Sequence, residues 1–182
     1  MHTITLELRV FAYGTLKRGF PNHEPYCARV LQIHPAWLRG RLFKLGAEAP
    51  VMTVPHDDIL AYGTADALSD IDAQEKFQAA LRTGKIPGFV SSAGGAGWRK
   101  VRGELLIFDD PQTRLLLLDC LEEFRPGRSS TYIRALVFVT LADGLKTSAW
   151  TYIAGFDPAG LEEYAEESWE LCRPVVPRKT YG

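Results

Sequence analysis

Two short stretches hold the residue types and spacing that could do chemistry. One is Val10-Phe11-Ala12-Tyr13-Gly14-Thr15-Leu16, an apolar run that ends in a turn. The other is Leu118-Asp119-Cys120-Leu121-Glu122, with Tyr132-Ile133-Arg134 after it. A strand that stops at Gly-Thr can aim successive backbone N–H groups into one space, and such a cluster binds a carboxylate or a developing oxyanion. A glutamate beside a leucine stripe is partly desolvated, which raises its pKa and makes it a better proton acceptor near neutral pH. At about 100° per residue, Leu115, Leu118, Leu121 and Phe124 share one arc of a helix. Glu122 projects at the edge of that arc, whereas Glu123 points with Asp119 to the polar side. Each feature alone also has a plain reading, the first as an ordinary turn and the second as a solvated rim residue.

Other candidates carry less. His23 follows the turn in Asn22-His23 and is a rival base, but capping or packing is its simpler use. His2, His34 and His56 have no ligand spacing with Asp, Glu or Cys, so no metal site is expected. Cys27, Cys120 and Cys172 are odd in number and widely spaced, which argues against a disulfide framework or a zinc site. Cys120 falls on the polar side of its helix with no visible base to activate it. The tract Gly94-Gly95-Ala96-Gly97 lacks the Lys-Ser/Thr and following helix of a phosphate loop and reads as a flexible loop.

The elements that must position these residues are mostly strands. Residues 4–13 alternate and then turn apolar, as a strand does on entering a core. Asn22 is placed to cap a short helix reaching Ala28. Residues 36–45 and 51–54 read as strands, a helix begins at Ser69-Asp70, and 84–97 is loop. Residues 98–108 form a strand, and Asp109-Asp110-Pro111 starts a helix running to about Phe124. Residues 132–141 and 146–153 are strands joined by a turn at Ala142-Asp143-Gly144. Residues 158–171 have the composition of a polar amphipathic helix, followed by a tail. Tyr62-Gly63-Thr64 echoes Tyr13-Gly14-Thr15, which reads as coincidence at another turn. The expected fold is α+β: one domain over 1–182 built on a curved, largely antiparallel sheet or small barrel with flanking helices.

A chain of 182 residues with 46% apolar residues can bury a core without staples. Its net charge of −1 gives no general attraction to nucleic acid or to an anionic membrane. Basic residues gather at Arg39, Arg41 and Lys44 and at Arg99, Lys100 and Arg102, read as solvated strand faces. No apolar run approaches a membrane span, the start lacks a signal-peptide pattern, and free thiols fit a reducing compartment. Cytoplasm is the expected location.

Taken together, the motifs resemble a known family. Tyr13-Gly14-Thr15-Leu16 with Gly19 and Asn22-His23 resembles the turn signature of the γ-glutamyl cyclotransferase superfamily, which includes the avirulence-induced and γ-glutamylamine cyclotransferase proteins. Leu118-Asp119-Cys120-Leu121-Glu122 is similar to its Leu-Asp-x-x-Glu segment, and Tyr132-Ile133-Arg134 to its Tyr-x-Arg strand start. Leu42-Phe43-Lys44-Leu45 and Ala49-Pro50-Val51-Met52 look like its Leu-Tyr-x-Leu and Tyr-Pro-Ala segment. Residues 56–97 look like an insertion, Glu48-Ala49 replaces a common Gly-Tyr, and the interval from Glu122 to Tyr132 is longer than in some relatives. The resemblance implies release of 5-oxoproline from a small γ-glutamyl amine or amino acid, without metal or organic cofactor. It implies Glu122 as catalytic acid/base and Tyr13, Gly14, Thr15, Leu16 and Tyr132 as substrate-binding residues. The alternative is a non-catalytic ligand-binding or interaction domain on the same fold.

Overall fold

Period-two alternation shapes the core of this protein, because both faces of several strands are covered. The structure is a computed structural model and describes residues 6–46, 49–86 and 97–169. Its strands are β1 (Leu8–Ala12), β2 (Gln32–Leu45), β3 (Ala49–Thr53), β4 (Ala61–Tyr62), β5 (Arg99–Phe108), β6 (Tyr132–Leu141) and β7 (Lys146–Ala154). The helices are α1 (His23–Cys27), α2 (Ala67–Arg82) and α3 (Pro111–Leu121). The sheet order is β3-β2-β5-β1-β7-β6-β4, and β2 also pairs with β6 at Ala36↔Leu141 and Trp37↔Thr140. That second pairing closes β2-β5-β1-β7-β6 into a barrel. All pairings are antiparallel except β1 with β7. The α+β single-domain architecture matches the sequence expectation.

Successive side chains on a strand point to opposite faces. Phe11, Tyr13, Val137, Val139, Ala149 and Ile153 fill one core cluster with residues of β2 and β3. Val10, Ala12, Leu136, Trp150 and Tyr152 belong to the second, which the helices cover with Ile71, Leu115 and Leu118. β1 is therefore buried on both sides, as its unbroken apolar end requires.

Of the departures from the sequence reading, two here have identifiable reasons. α2 begins two residues earlier than Ser69-Asp70, because Asp66 Oδ1 caps it by accepting from the N–H groups of Leu68 and Ser69. Asp70 is needed elsewhere. Its carboxylate accepts from Arg134 Nη2 at 2.8 Å and from the N–H and hydroxyl of Thr64. α2 also holds β1 through Gln74, which exchanges hydrogen bonds with the backbones of Glu7 and Arg9. Asp70, Ile71 and Gln74 are buried, so α2 is part of the core and not a cover over it. The loop expected at 84–97 lies largely outside the described residues.

The second difference concerns residues 158–168, which form turns and a bridge at Phe43↔Glu163 and no helix. The acidic side chains of this segment meet the basic face of β2 and β5. Arg41 pairs with Glu163, Lys44 with Glu162 and Arg102 with Glu167. Backbone bonds from Lys44 N to Glu162 O, Tyr164 N to Leu42 O and Arg102 N to Glu167 O run beside them. Those strand faces are therefore strapped, not simply solvated, and Arg39 pairs with Asp58 as well.

Arg134 is 1% exposed and lies between the Trp150 and Phe124 rings, 5.0 and 5.4 Å from their centroids. Its Nη2 also donates to Thr64 O at 3.0 Å, and its Nε is 2.9 Å from Asp119 Oδ1, within ion-pair range but not aligned as a hydrogen bond. Gly63 passes so close that a Cβ there would come within 2.9 Å of Arg134 Nε. The second Tyr-Gly-Thr thus braces a buried charge and does not repeat the first one's setting. Replacing Asp70 by Ala leaves that charge short of its fully buried partner. We expect a loss of about 3 kcal/mol in urea unfolding, and a loss no larger than a surface substitution causes would contradict this account.

Candidate active site

The C-terminus of α3 determines where Glu122 points. The helix starts on Asp110-Pro111, as the sequence indicates, but ends at Leu121 and not Phe124. Glu123 adopts φ +53°, the left-handed conformation that ends helices. Phe124 N then donates to Asp119 O at 2.9 Å and Glu123 N to Cys120 O at 3.3 Å, which together close a Schellman motif. A left-handed glutamate costs roughly 1 kcal/mol, and burial of Phe124 against the helix side of the barrel offsets it. Glu122 is left as the capping residue at the cavity. Glu123 lines a second cavity together with Cys120 and Arg128.

The first cavity, of about 380 Å³, brings every sequence-predicted site residue together: Glu122, Tyr13, Gly14, Thr15, Leu16 and Tyr132. Phe11, Ala49, Pro50, Leu121 and Trp169 complete much of its wall. Glu122 is the charged side chain among the described lining residues. The residue keeps intermediate surface exposure because the cavity is open, yet its carboxyl is enclosed by protein. Desolvation raises its pKa from 4.5 to about 7.

The turn after β1 is held by its own neighbours. Lys17 N donates to Gly14 O, Asn22 N to Thr15 O, and Asn22 Nδ2 to Thr15 Oγ1 at 2.9 Å. Asn22 therefore stands at the head of α1 but spends its side chain on the turn and not on a cap. His23 is buried with Nδ1 2.7 Å from Leu16 O, so that nitrogen must carry the proton, and Cys27 Sγ donates to the same carbonyl. His23 braces the turn from behind and does not line the cavity. Among the described residues, none accepts a hydrogen bond from the N–H of Gly14, Thr15 or Leu16. A Cβ on Gly14 would lie 3.1 Å from Pro50 Cγ, a tight contact that Pro50 would have to yield to.

The hydroxyls of Tyr13 and Tyr132 are held by backbone carbonyls. Tyr13 donates to Tyr152 O at 2.8 Å and Tyr132 to Pro50 O at 3.0 Å, so neither hydroxyl proton is free for a ligand. Sequence reasoning also passed over Tyr152, which lines the cavity and donates to Asp119 Oδ1 at 2.7 Å. The Asp of Leu118-Asp119-x-x-Glu122 was the visible signal for that contact. Nothing in the sequence placed Tyr152 opposite it. Trp169 stands at the end of the acidic strap, with its ring 5.0 Å from Phe20. Glu48 lies outside the described residues, while Ala49 beside it lines the cavity. No helix among the described residues is long and apolar enough to cross a membrane.

A closed, mostly antiparallel barrel with a glutamate-bearing helix end over a Tyr-Gly-Thr-Leu turn defines a small α+β barrel fold. The profile of the family described as "Gamma-glutamyl cyclotransferase, AIG2-like" matches residues 10–79 and 64–171, and the chain belongs to that family. Among solved structures it is similar to YkqA from Bacillus subtilis, with a TM-score of 0.53 and 18% identity over 91% of this chain. The chain spans 40% of the length of that protein. An AIG2-like protein from Mus musculus is matched with a TM-score of 0.50 and 19% identity, over 96% of this chain and 99% of that one. At these identities the likeness establishes the fold. No curated protein sequence matches the chain.

The raised pKa has a consequence for stability. Between pH 4.5 and about 7 the folded protein keeps the Glu122 proton while the unfolded chain releases it. Stability therefore falls as pH rises through that window, by roughly 3 kcal/mol in all. Glu122→Gln cannot ionise. It is expected to melt above the wild type at about pH 8 and to converge with it near pH 4, as read by thermal melts across pH.

Proposed function

We propose that the protein is a γ-glutamyl cyclotransferase that converts a γ-glutamyl amine or γ-glutamyl amino acid into 5-oxoproline and a free amine. The observation that carries this reading is the desolvated Glu122 carboxyl in one cavity with the turn N–H groups of Gly14, Thr15 and Leu16, from which no described residue accepts a hydrogen bond. Family membership supports it.

In this reaction the α-amine of the substrate attacks its own γ-carbonyl carbon. The new C–N bond closes a five-membered ring, and the C–N bond to the leaving amine breaks. An intramolecular attack gains most from orientation, which contributes on the order of 7–11 kcal/mol. The remaining requirement is proton transfer. Glu122 takes a proton from the α-ammonium, freeing the nucleophile, and returns it to the departing nitrogen; the second proton, lost as the ring nitrogen becomes the lactam N–H, passes by the same carboxylate to the free amine, which leaves as an ammonium. A carboxyl with a pKa of about 7 suits both steps at neutral pH. The N–H groups of Gly14, Thr15 and Leu16 hold the substrate's α-carboxylate or the oxyanion of the tetrahedral intermediate. Phe11, Leu121 and Pro50 limit water around the reacting atoms.

The test is 5-oxoproline release from a panel of γ-glutamyl amines and γ-glutamyl amino acids. Glu122→Gln is expected to lower kcat by at least about a hundredfold, while Glu123→Gln, which faces the other cavity, leaves it unchanged. Because the ionised carboxyl is the base, kcat/KM of the wild type should fall as pH drops below about 7. No release from any substrate by the folded wild type would instead favour a ligand-binding domain on the same fold.

A further inference from the structure

The second cavity, of about 920 Å³, shares no lining residue with the first, and the proposed chemistry makes no use of it. Its size suits a small molecule, for which sites run to about 300–1,000 Å³. The loop between α3 and β6 forms one side, with Arg125, Arg128, Ser129, Ser130 and Thr131. Arg125 and Arg128 are exposed, and no carboxylate among the described residues pairs with either guanidinium. The loop that presents them is held by short-range bonds. Gly127 takes φ +74°, Arg128 N donates to Arg125 O at 3.1 Å, and Arg125 N donates to Ser130 Oγ at 3.2 Å. Ser130 thus accepts with its oxygen and keeps its hydroxyl proton for another partner. Thr131 O receives Gly155 N at 2.9 Å, and a Cβ on Gly155 would come within 2.1 Å of Ser130 O, so the loop packs directly on the backbone that follows β7.

The other lining groups set the charge and the shape. Arg134 lines the cavity from its buried position, with Nη2 spent on Asp70 and Thr64 and Nη1 without a hydrogen-bond partner among the described residues. Its charge is balanced by Asp70 and Asp119. That leaves Arg125 and Arg128 against Glu123, a surplus of one positive charge on the described lining. Leu115, Leu116, Phe124 and Pro126 supply an apolar wall. We propose that this cavity binds a small phosphate monoester, with the phosphoryl group on Arg125, Arg128 and the hydroxyls of Ser129, Ser130 and Thr131, and the organic body against Leu116, Phe124 and Pro126. Guanidinium groups match phosphoryl oxygens bidentately. Two guanidiniums and three hydroxyls offer more donors than the two oxygens of a carboxylate can use, whereas a phosphoryl group brings three. The volume and the apolar wall have room for carbon that inorganic phosphate does not carry. This inference goes beyond the cyclotransferase reading and does not depend on it.

The experiment measures calorimetric dissociation constants of the full chain for phenyl phosphate, benzoate and inorganic phosphate at low ionic strength, with a thermal melt of every variant. Phenyl phosphate is expected to bind at least about tenfold more tightly than either of the others. Arg125→Gln and Arg128→Gln should each weaken it by at least about tenfold, because each removes a charged bidentate donor. Glu123→Gln should tighten it severalfold, a gain that damage to the fold does not produce. Glu122→Gln, in the first cavity, should leave the constant in place. A change there places the phosphate on the turn after β1 and overturns the proposal. So does an absence of phenyl phosphate binding to the folded wild type at millimolar concentration, or benzoate or inorganic phosphate binding as tightly. A constant unchanged in either arginine variant or in Glu123→Gln overturns it as well.

Discussion

The buried guanidinium of Arg134 is the constraint on which the rest of the structure depends. A charge with 1% exposure is tolerable only where its counter-charges and aromatic faces are fixed around it. Meeting that need draws Asp70 from α2, Asp119 from α3, Trp150 from β7 and Phe124 from the end of α3 to one point on β6. Each of those contacts positions a further piece. Asp119 holds the Tyr152 hydroxyl, Tyr152 O receives the Tyr13 hydroxyl, and Phe124 completes the motif that leaves Glu122 at the cavity. The line from Arg134 to the candidate base is thus a chain of direct contacts.

The barrel supplies the opposite wall. Its closure between β2 and β6 leaves the basic outer face of β2 and β5 to be covered, and the acidic strap does this by charge pairing and by backbone bonds together. Exposed ion pairs contribute little individually. Here their effect is on register: they fix which residues of the strap lie beside which strand residues, and Trp169 is carried to the cavity as a result. The strap is therefore both a cover for the sheet and a source of one wall of the site.

The proposed chemistry needs a carboxyl that is uncomfortable when charged. The same desolvation that moves Glu122 toward pH 7 makes its ionised form a burden on the fold above that pH. A residue in that position is hard to explain as a stabilising element, which strengthens its reading as a functional one. Around it, the Tyr13 and Tyr132 hydroxyls donate to backbone carbonyls, while no described residue accepts from the N–H groups of Gly14, Thr15 and Leu16.

Much of this was legible in the residues themselves. The alternation of β1, the Asp-Pro start of α3, the hairpin at residues 142–144 and the bounds of β6 follow from local rules of pleat, capping and turn chemistry, which act over a few neighbours. The candidate site was legible for the same reason, since Tyr13-Gly14-Thr15-Leu16 and Asp119-x-x-Glu122 are contiguous motifs. What the sequence by itself determined was therefore most of the strands, the helices α1 to α3 and the two halves of the candidate site. Only the tertiary structure decided the rest: that α3 stops at Leu121, that residues 158–168 lie along a sheet instead of coiling, that Asp70 serves Arg134, and that the tyrosine hydroxyls donate inward. Each of these is settled by a partner far away in the chain, on a charge or carbonyl that must be satisfied once water is excluded. Local propensity carries no information about such partners until the barrel has closed.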